Sequence, residues 1–347
     1  MRLSQTKNYS FSICMPVYKG SHVITNALRS LYSQINEFKY EIIIGDDTPQ
    51  EFEREIKKTK DIINSYHDGK IYYFRNKKNL GYPGNLKKIM AKAKNDIVFL
   101  LAQDDILSRD ALQRTNDAFL LDKDIGAVTR PYFWFEDDIN KPVRVVPPID
   151  LRQNVVLSLQ YDAEKTVLAV FGSIGQLSGL AFRKNYIDTP PHEYHVFTTH
   201  MYPFASIIKK YKCVFLKDYT VAVGIKDSQT RHVSSIYDIS PTEQWVMMFA
   251  DVYKEKKFEK IRKLGIKLIA THFTGLVQIK NYGSMKSFFK EIWILLKVRP
   301  QNILEPKFWF YCILTVFTPK FLLRKLTDWY KRNILSKTLP KISFEYD

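Results

Sequence analysis

The sequence predicts an α/β fold: a doubly wound, mostly parallel sheet with a basic helical extension at its C-terminal end. Three observations carry that reading. Strand-like and helix-like stretches alternate over the first 135 residues. Two aliphatic runs, Glu41–Ile44 and Ile97–Leu101, lead into the acidic pairs Asp46-Asp47 and Asp104-Asp105. From about residue 240 the pattern turns helical and basic. Continuous aliphatic runs are the mark of strands buried on both faces of a parallel sheet. Carboxylates just past such strands stand where open α/β sheets bind ligands.

The elements follow in order. Phe11–Met15 reads as a strand stopped by Pro16, whose fixed φ ends the run. Residues 21–34 bring Val23, Ala27, Leu28, Leu31 and Ile35 near one helical face. Glu41–Ile44 is the second strand, and residues 51–66 a charged surface helix with Phe52, Ile56, Ile62, Ile63 and Tyr66 inward. Ile71–Phe74 is the third strand. Pro83 opens a helix to residue 94, as a favoured first-turn residue. After the strand Ile97–Leu101, Ser108 has the chemistry of an N-cap for a helix to about residue 121. Repeated β-α-β units imply right-handed crossovers. Beyond them, Ile125–Phe135, Pro142–Pro147, Leu177–Phe182, Val214–Leu216 and Val221–Val223 read as strands, and residues 201–211 as a helix. The division expected is an α/β domain over 1–235 and a helical, basic extension over 236–347.

At 347 residues and 45% hydrophobic content the chain builds a sizeable core, and disorder is excluded. Its three cysteines, Cys14, Cys213 and Cys312, are far apart and form no C-x-x-C pair, which indicates neither zinc nor a disulfide framework and fits a reducing compartment. Residues 1–8 hold no apolar stretch of a secretory signal. Of the net charge of +17, +12 lies in residues 251–347, which hold 20 Lys/Arg against 8 Asp/Glu. Such a segment suits nucleic acid or an anionic membrane.

Asp104 and Asp105 have the chemistry to hold a hard divalent cation, Mg²⁺ or Mn²⁺, on a diphosphate; alternatively they are solvated loop carboxylates. Asn79-Leu80-Gly81 and Asn85 stand at a helix start. Their N–H groups and amides suit a phosphate or a base, and equally a simple turn. Tyr18 suits stacking on a base, or covering the sheet edge.

Four pieces in order, Ser12-Ile13-Cys14-Met15-Pro16-Val17-Tyr18, then Glu41-Ile42-Ile43-Ile44-Gly45-Asp46-Asp47, then Asn79-Leu80-Gly81 with Asn85, then Gln103-Asp104-Asp105-Ile106-Leu107, resemble family 2 glycosyltransferases of the glycosyltransferase-A fold. The resemblance spans roughly residues 10–235. It implies an inverting transferase that moves a sugar from a nucleotide donor, a UDP-sugar, to an acceptor on a polyprenyl diphosphate in bacterial surface polysaccharide (capsule or O-antigen) synthesis. It implies a donor site of Pro16, Tyr18, Asp46, Asn79, Asn85 and Arg231, with Asp46 on uracil or ribose, or forming an Asx turn. It implies a metal held by Asp104, Asp105 and His232. The chain departs from the family at Ala102 and Gln103, where an acid is usual; Gln103 offers a neutral oxygen instead. It departs again where the base is usual: Val196–Pro203 contains no acid, which leaves His200, Glu193 and Asp188 to deprotonate the acceptor. Ser178-Gly179 falls where such enzymes contact a sugar, and is otherwise a bulge.

In the tail, Phe288, Phe289, Ile292, Trp293, Leu295 and Leu296 form a broad apolar face, and Phe308–Phe317 is apolar all round. Neither run reaches the roughly 20 residues of a membrane span. Both suit helices lying at the cytoplasmic face of the membrane, with Lys and Arg at the headgroups, or packing on protein. Aromatics clustered with aliphatics suit lipid better than base stacking, so no nucleic acid is expected. Two alternatives remain: a degenerate, non-catalytic nucleotide-sugar or nucleic-acid binder, and a sugar nucleotidyltransferase, whose Gly-rich loop is missing at Pro16–Gly20.

Overall fold

The computed structural model describes residues 8–35, 38–192, 194–226, 228–339 and 342–346. The first part alternates as expected: β1 (Phe11–Val17), α1 (Ile24–Tyr32), β2 (Tyr40–Asp46), α2 (Glu53–Asn64), β3 (Ile71–Arg75), α3 (Gly81–Ala91) and β4 (Ile97–Leu100). These strands pair in parallel in the order β3-β2-β1-β4. α1 lays Ile24, Ala27, Leu28 and Leu31 against the sheet at helical spacing, and all four are buried. Removing such a side chain, as in Leu28→Ala, costs about 2–5 kcal/mol.

Three expectations are corrected here. β1 does not stop at Pro16 but runs through it to Val17, with Pro16 paired to Gly45. The proline lacks only a donor, and the Val17 carbonyl still accepts from Asp47 N–H at 2.8 Å. α3 begins at Gly81 rather than Pro83; Gly81 takes φ 69°, a left-handed turn glycine adopts freely, and its N–H donates to Asn79 Oδ1. Ser108 caps nothing: its hydroxyl donates to Asp110 Oδ1, and Asp110 occupies the N-cap position.

The chain continues through β5 (Ile106–Leu107), α4 (Ala111–Leu120), β6 (Ile125–Thr129), β7 (Tyr132–Phe135), β8 (Arg144–Val146), β9 (Val155–Leu157), α5 (Ala163–Ser173), β10 (Ala181–Arg183), α6 (Met201–Ile207), β11 (Lys212–Phe215) and β12 (Val221–Gly224). The main sheet reads β3-β2-β1-β4-β10-β6-β11-β9, and a second sheet reads β5-β12-β7-β8. β10 runs antiparallel to both neighbours, β4 and β6. The single strand expected over 125–135 is two strands in different sheets. Arg130-Pro131 separates them, and Arg130 is wholly buried at the crossing.

The helical part holds α7 (Gln229–His232), α8 (Pro241–Val252), α9 (Glu259–Ala270), α10 (Thr274–Tyr282), α11 (Met285–Val298), α12 (Pro306–Phe317) and α13 (Lys320–Tyr330). Ser240 caps α8 by accepting from Glu243 N–H, with Pro241 in the first turn. Met248, Phe249, Val252, Tyr253 and Ile261 join the core that also contains Leu100, Phe171 and Phe182. The core on this face of the sheet therefore continues past residue 235. A separate cluster around Phe273, Phe288, Leu295 and Phe308 joins the later helices. The segment 342–346 returns to the second sheet, where Phe344 meets Phe133 edge-on at 5.1 Å. Among the described residues no helix is long and apolar enough to cross a membrane.

Candidate functional site

The carboxyl ends of β1, β2, β3 and β4 meet at one edge, where short tethers fix their loops. Asn76 N–H donates to the Asp46 carbonyl at 3.0 Å, tying β3 to β2. Lys19, at φ 49°, donates its N–H to Thr48 Oγ1 at 2.8 Å. Gln103 pairs with both backbone groups of Tyr18: Oε1 accepts from Tyr18 N–H at 2.9 Å and Nε2 donates to its carbonyl at 3.0 Å. The amide thus holds the half-exposed Tyr18 loop against the end of β4. The neutral oxygen that the sequence offered to a metal faces Tyr18 N–H instead.

The first acidic pair is knitted into the scaffold. Asp46 is fully buried; Oδ1 accepts from Thr48 N–H and Oδ2 from the Tyr73 hydroxyl, at 2.9 and 2.8 Å. Asp47 accepts from Leu80 N–H and Asn76 Nδ2, each at 2.9 Å. Burial pushes the Asp47 carboxyl above its usual value in spite of those donors. Asn85 donates to the Gly45 carbonyl at 2.7 Å and accepts from Asn76 at 3.0 Å, so this buried amide joins α3 to β2. Asn79 is exposed in an Asx turn, and Pro16 lies half-buried beside Tyr18.

The second pair divides. Asp104 is half-exposed, whereas Asp105 is buried. Asp105 Oδ1 accepts from Gly224 N–H at 3.0 Å, and Oδ2 accepts from Ser178 Oγ and Gln176 Nε2, each at 2.5 Å. Burial outweighs these donors and raises its pKa to about 6. Gly224 touches the Asp104 carbonyl so closely that no Cβ fits between them. Behind Gln176 stands Arg130, which donates to the carbonyls of Ser173 and Gln176 and to Gln176 Oε1, at 2.8–3.2 Å. Arg130, Gln176 and Gly224 were not picked out from the sequence. The hint available was an arginine inside an otherwise apolar run.

Arg231 and His232 lie in α7. Arg231 pairs with Glu136 at 3.2 Å, and His232 Nε2 donates to the Lys226 carbonyl at 2.8 Å. Among the described residues no three His, Cys, Asp or Glu side chains are grouped as a metal cage. Asp104, Asp105 and His232 are therefore not brought together as a set of three. A Mg²⁺- or Mn²⁺-type site does not need one, because these ions bind through one or two carboxylates and complete their shell with substrate phosphates and water. The half-exposed Asp104 fits that description as the direct ligand, with Asp105 behind it already accepting from Gly224, Ser178 and Gln176.

Two of the three base candidates are described; Glu193 lies outside the described residues. His200 is buried, with Nε2–H donating to the Ile174 carbonyl at 3.0 Å and Nδ1 accepting from the Tyr82 hydroxyl at 2.9 Å. Burial, with a smaller push from Arg130, holds the imidazole at about 4, so it is neutral at pH 7. Tyr82 belongs to the first turn of α3, which puts His200 on the strand-end side of the sheet. Asp188 lies elsewhere. It is exposed, pairs with Lys210 at 3.3 Å just before β11, and sits at the opposite end of the sheet from Asp104. Nearby, His195 donates to Tyr202, which donates to Asp251, each at 2.9 Å.

Residues 12–171 match the Glycosyl transferase family 2 model. A search of curated proteins gives no match. Among solved structures, S. aureus TarS 1-349 in complex with UDP-GlcNAc aligns with TM-score 0.60, 13% identity, and coverage of 93% of this chain and 92% of that one. The mannosyltransferase PcManGT from Pyrobaculum calidifontis, in complex with GDP-Man and Mn²⁺, aligns with TM-score 0.54, 14% identity, and coverage of 94% and 88%. At these identities the likeness bears on the fold, a mixed α/β core with a mostly parallel sheet and C-terminal helices.

Proposed function

We infer that this chain, whose residues 12–171 are a family 2 glycosyltransferase segment, is an inverting, metal-dependent transferase that uses a UDP-sugar. The observation that carries the reading is the meeting of four parallel strand ends with Asp104 and Asp105 at one edge. Tyr18 is the surface for the base, and the loop bearing it is prefixed by Gln103. Pro16, Asp46, Asn79 and Asn85 shape the nucleotide pocket, with Asp46 and Asn85 acting through the backbone they hold. Arg231 takes the donor diphosphate, exchanging Glu136 for phosphate. Asp104, with Asp105 beside it, would hold a Mg²⁺ or Mn²⁺, which when bound would neutralise charge on the leaving diphosphate; His232, engaged with the Lys226 carbonyl, is not among its ligands.

In the transfer, an acceptor hydroxyl oxygen bonds to the anomeric carbon from the face opposite the diphosphate. The anomeric C–O bond breaks, and its electron pair leaves with the nucleoside diphosphate. The hydroxyl proton goes to a base. His200 Nδ1 is the first candidate, once Tyr82 yields its hydrogen bond, and Glu193 the second; Asp188, paired with Lys210 at the other end of the sheet, is out of reach of this corner.

The acceptor proposed is a glycan on a polyprenyl diphosphate, in bacterial surface polysaccharide (capsule or O-antigen) synthesis, with the enzyme peripheral at the cytoplasmic face of the membrane. Exposed Trp293, Trp309, Phe317, Phe321 and Trp329 support that placement, because they stand among the lysines and arginines of α11 to α13. The test is release of nucleoside diphosphate from a panel of UDP-, GDP- and dTDP-sugars with Mn²⁺. Release from a UDP-sugar that Asp104→Ala abolishes supports the reading. A folded protein that binds UDP-sugar yet never turns over supports a binding module instead.

A further inference from the structure

We propose that cations gathered between the β7–β8 turn and the end of α13 form a second anion site that takes a phosphate group of the acceptor, separate from the donor diphosphate; the proposal rests on the glycosyl-transfer reading above. Glu136 is the centre. Its two oxygens pair with Arg231 at 3.2 Å and Arg332 at 2.9 Å. Arg231 and Arg324 both face the Tyr282 ring, with guanidinium carbons 5.9 and 4.9 Å from its centre. Arg144 stacks on Trp134 at 3.6 Å, on the strand next to Glu136. Lys331 adjoins Arg332; burial, then the charges of Arg231 and Arg144, hold its ammonium below the usual lysine value, against Asp328 and Glu136. Five cations thus share a neighbourhood with three carboxylates, Glu136, Asp328 and Asp137. Arg231 and Lys331 are half-buried and Arg144, Arg324 and Arg332 are exposed around them; like charges gathered in this way repel one another, and a bound polyanion would relieve that repulsion.

The location connects the cluster to the chemistry. Phe135 pairs with Gly224, whose N–H holds Asp105, and Glu136 is the next residue. The cluster therefore begins one residue from the acidic corner and runs outward into the helical part. Arg231 stands at the junction. Arg144, Arg324, Lys331 and Arg332 lie beyond it, more cations than one donor diphosphate needs. Phosphate of this kind has two sources, the diphosphate head of a lipid carrier or a phosphodiester within the glycan.

The test uses the full chain with UDP and Mn²⁺ at saturation, so that the donor site is filled. Inorganic pyrophosphate, farnesyl diphosphate and glycerophosphoglycerol are then titrated by calorimetry into the wild type, a Lys331→Glu/Arg324→Glu variant, and Lys325→Glu as a control of equal sign on the same helix. The proposal predicts binding of at least one phosphate compound, weakened tenfold or more in the double variant and unchanged in the control, with UDP affinity preserved within twofold. Tighter binding of farnesyl diphosphate identifies the lipid head, and tighter binding of glycerophosphoglycerol the phosphodiester. Equal binding by all three proteins overturns the proposal. So does a parallel loss of UDP affinity, which would make the cluster part of the donor site. Absence of UDP binding in the wild type counts against the transferase reading alone, since the pyrophosphate comparison stands without it.

Discussion

Asp105 shows how burial sets chemistry at a single residue. Its folded pKa of about 6 lies above the ordinary carboxylate value, so the folded state holds the proton more tightly than the unfolded chain. The stability linked to that proton is complete below about pH 4 and is lost as the pH rises through 6. The loss is on the order of 2–3 kcal/mol. Urea unfolding from pH 4 to 7 should show this decline in the wild type and lose it in Asp105→Asn; parallel curves would refute the assignment. His200 gives a second prediction at this scale. A histidine held at about 4 is already neutral at pH 5, so any step in turnover near 6 should belong to Asp105 and persist in His200→Ala. His200→Ala should lower kcat by about 10²–10⁴ if the residue is the base. An unchanged kcat would pass the role to Glu193.

At the scale of elements, what matters is how the strand ends are locked. Gln103 holds the Tyr18 loop, and Gly20 packs so tightly on that amide that a Cβ would displace it. Gln103→Ala and Gly20→Ala should each weaken nucleotide binding about tenfold, and the double variant should be little worse than either, because both release the same clamp. Additive losses would mean that the two act separately. The regular elements were legible because β2 and β4 carry continuous aliphatic runs, β1 and β3 are short and mostly apolar or aromatic, and α1 repeats its apolar positions at helical spacing. The acidic pairs at their ends were legible for the same reason. What stayed hidden was side-chain wiring. Nothing local says that Gln103 faces Tyr18, that Arg130 reaches Asp105 through Gln176, or that the run 125–135 breaks between two sheets. α5 and β9 also escaped, since Val155–Leu157 is only three residues long and owes its pairing to β11. Tertiary context decides such short segments.

Across the whole molecule, the charge and the apolar surface lie at the C-terminal end. Exposed tryptophans at 293, 309 and 329 beside many lysines and arginines predict binding to vesicles. Co-sedimentation with phosphatidylglycerol vesicles should exceed that with phosphatidylcholine, fall with added salt, and drop about tenfold in Trp309→Ala/Trp329→Ala. Equal binding to neutral vesicles, or none, would remove the membrane from the account. The central claim is narrower: a metal-assisted nucleotide site at the ends of β1 to β4. Calorimetric titration of UDP, with and without Mn²⁺, into the wild type and Asp104→Ala tests it most directly. The account predicts binding that Mn²⁺ strengthens at least tenfold in the wild type and leaves unchanged in the variant. Equal Mn²⁺ dependence in both proteins, or no binding of UDP, GDP or dTDP by the folded wild type, would contradict it.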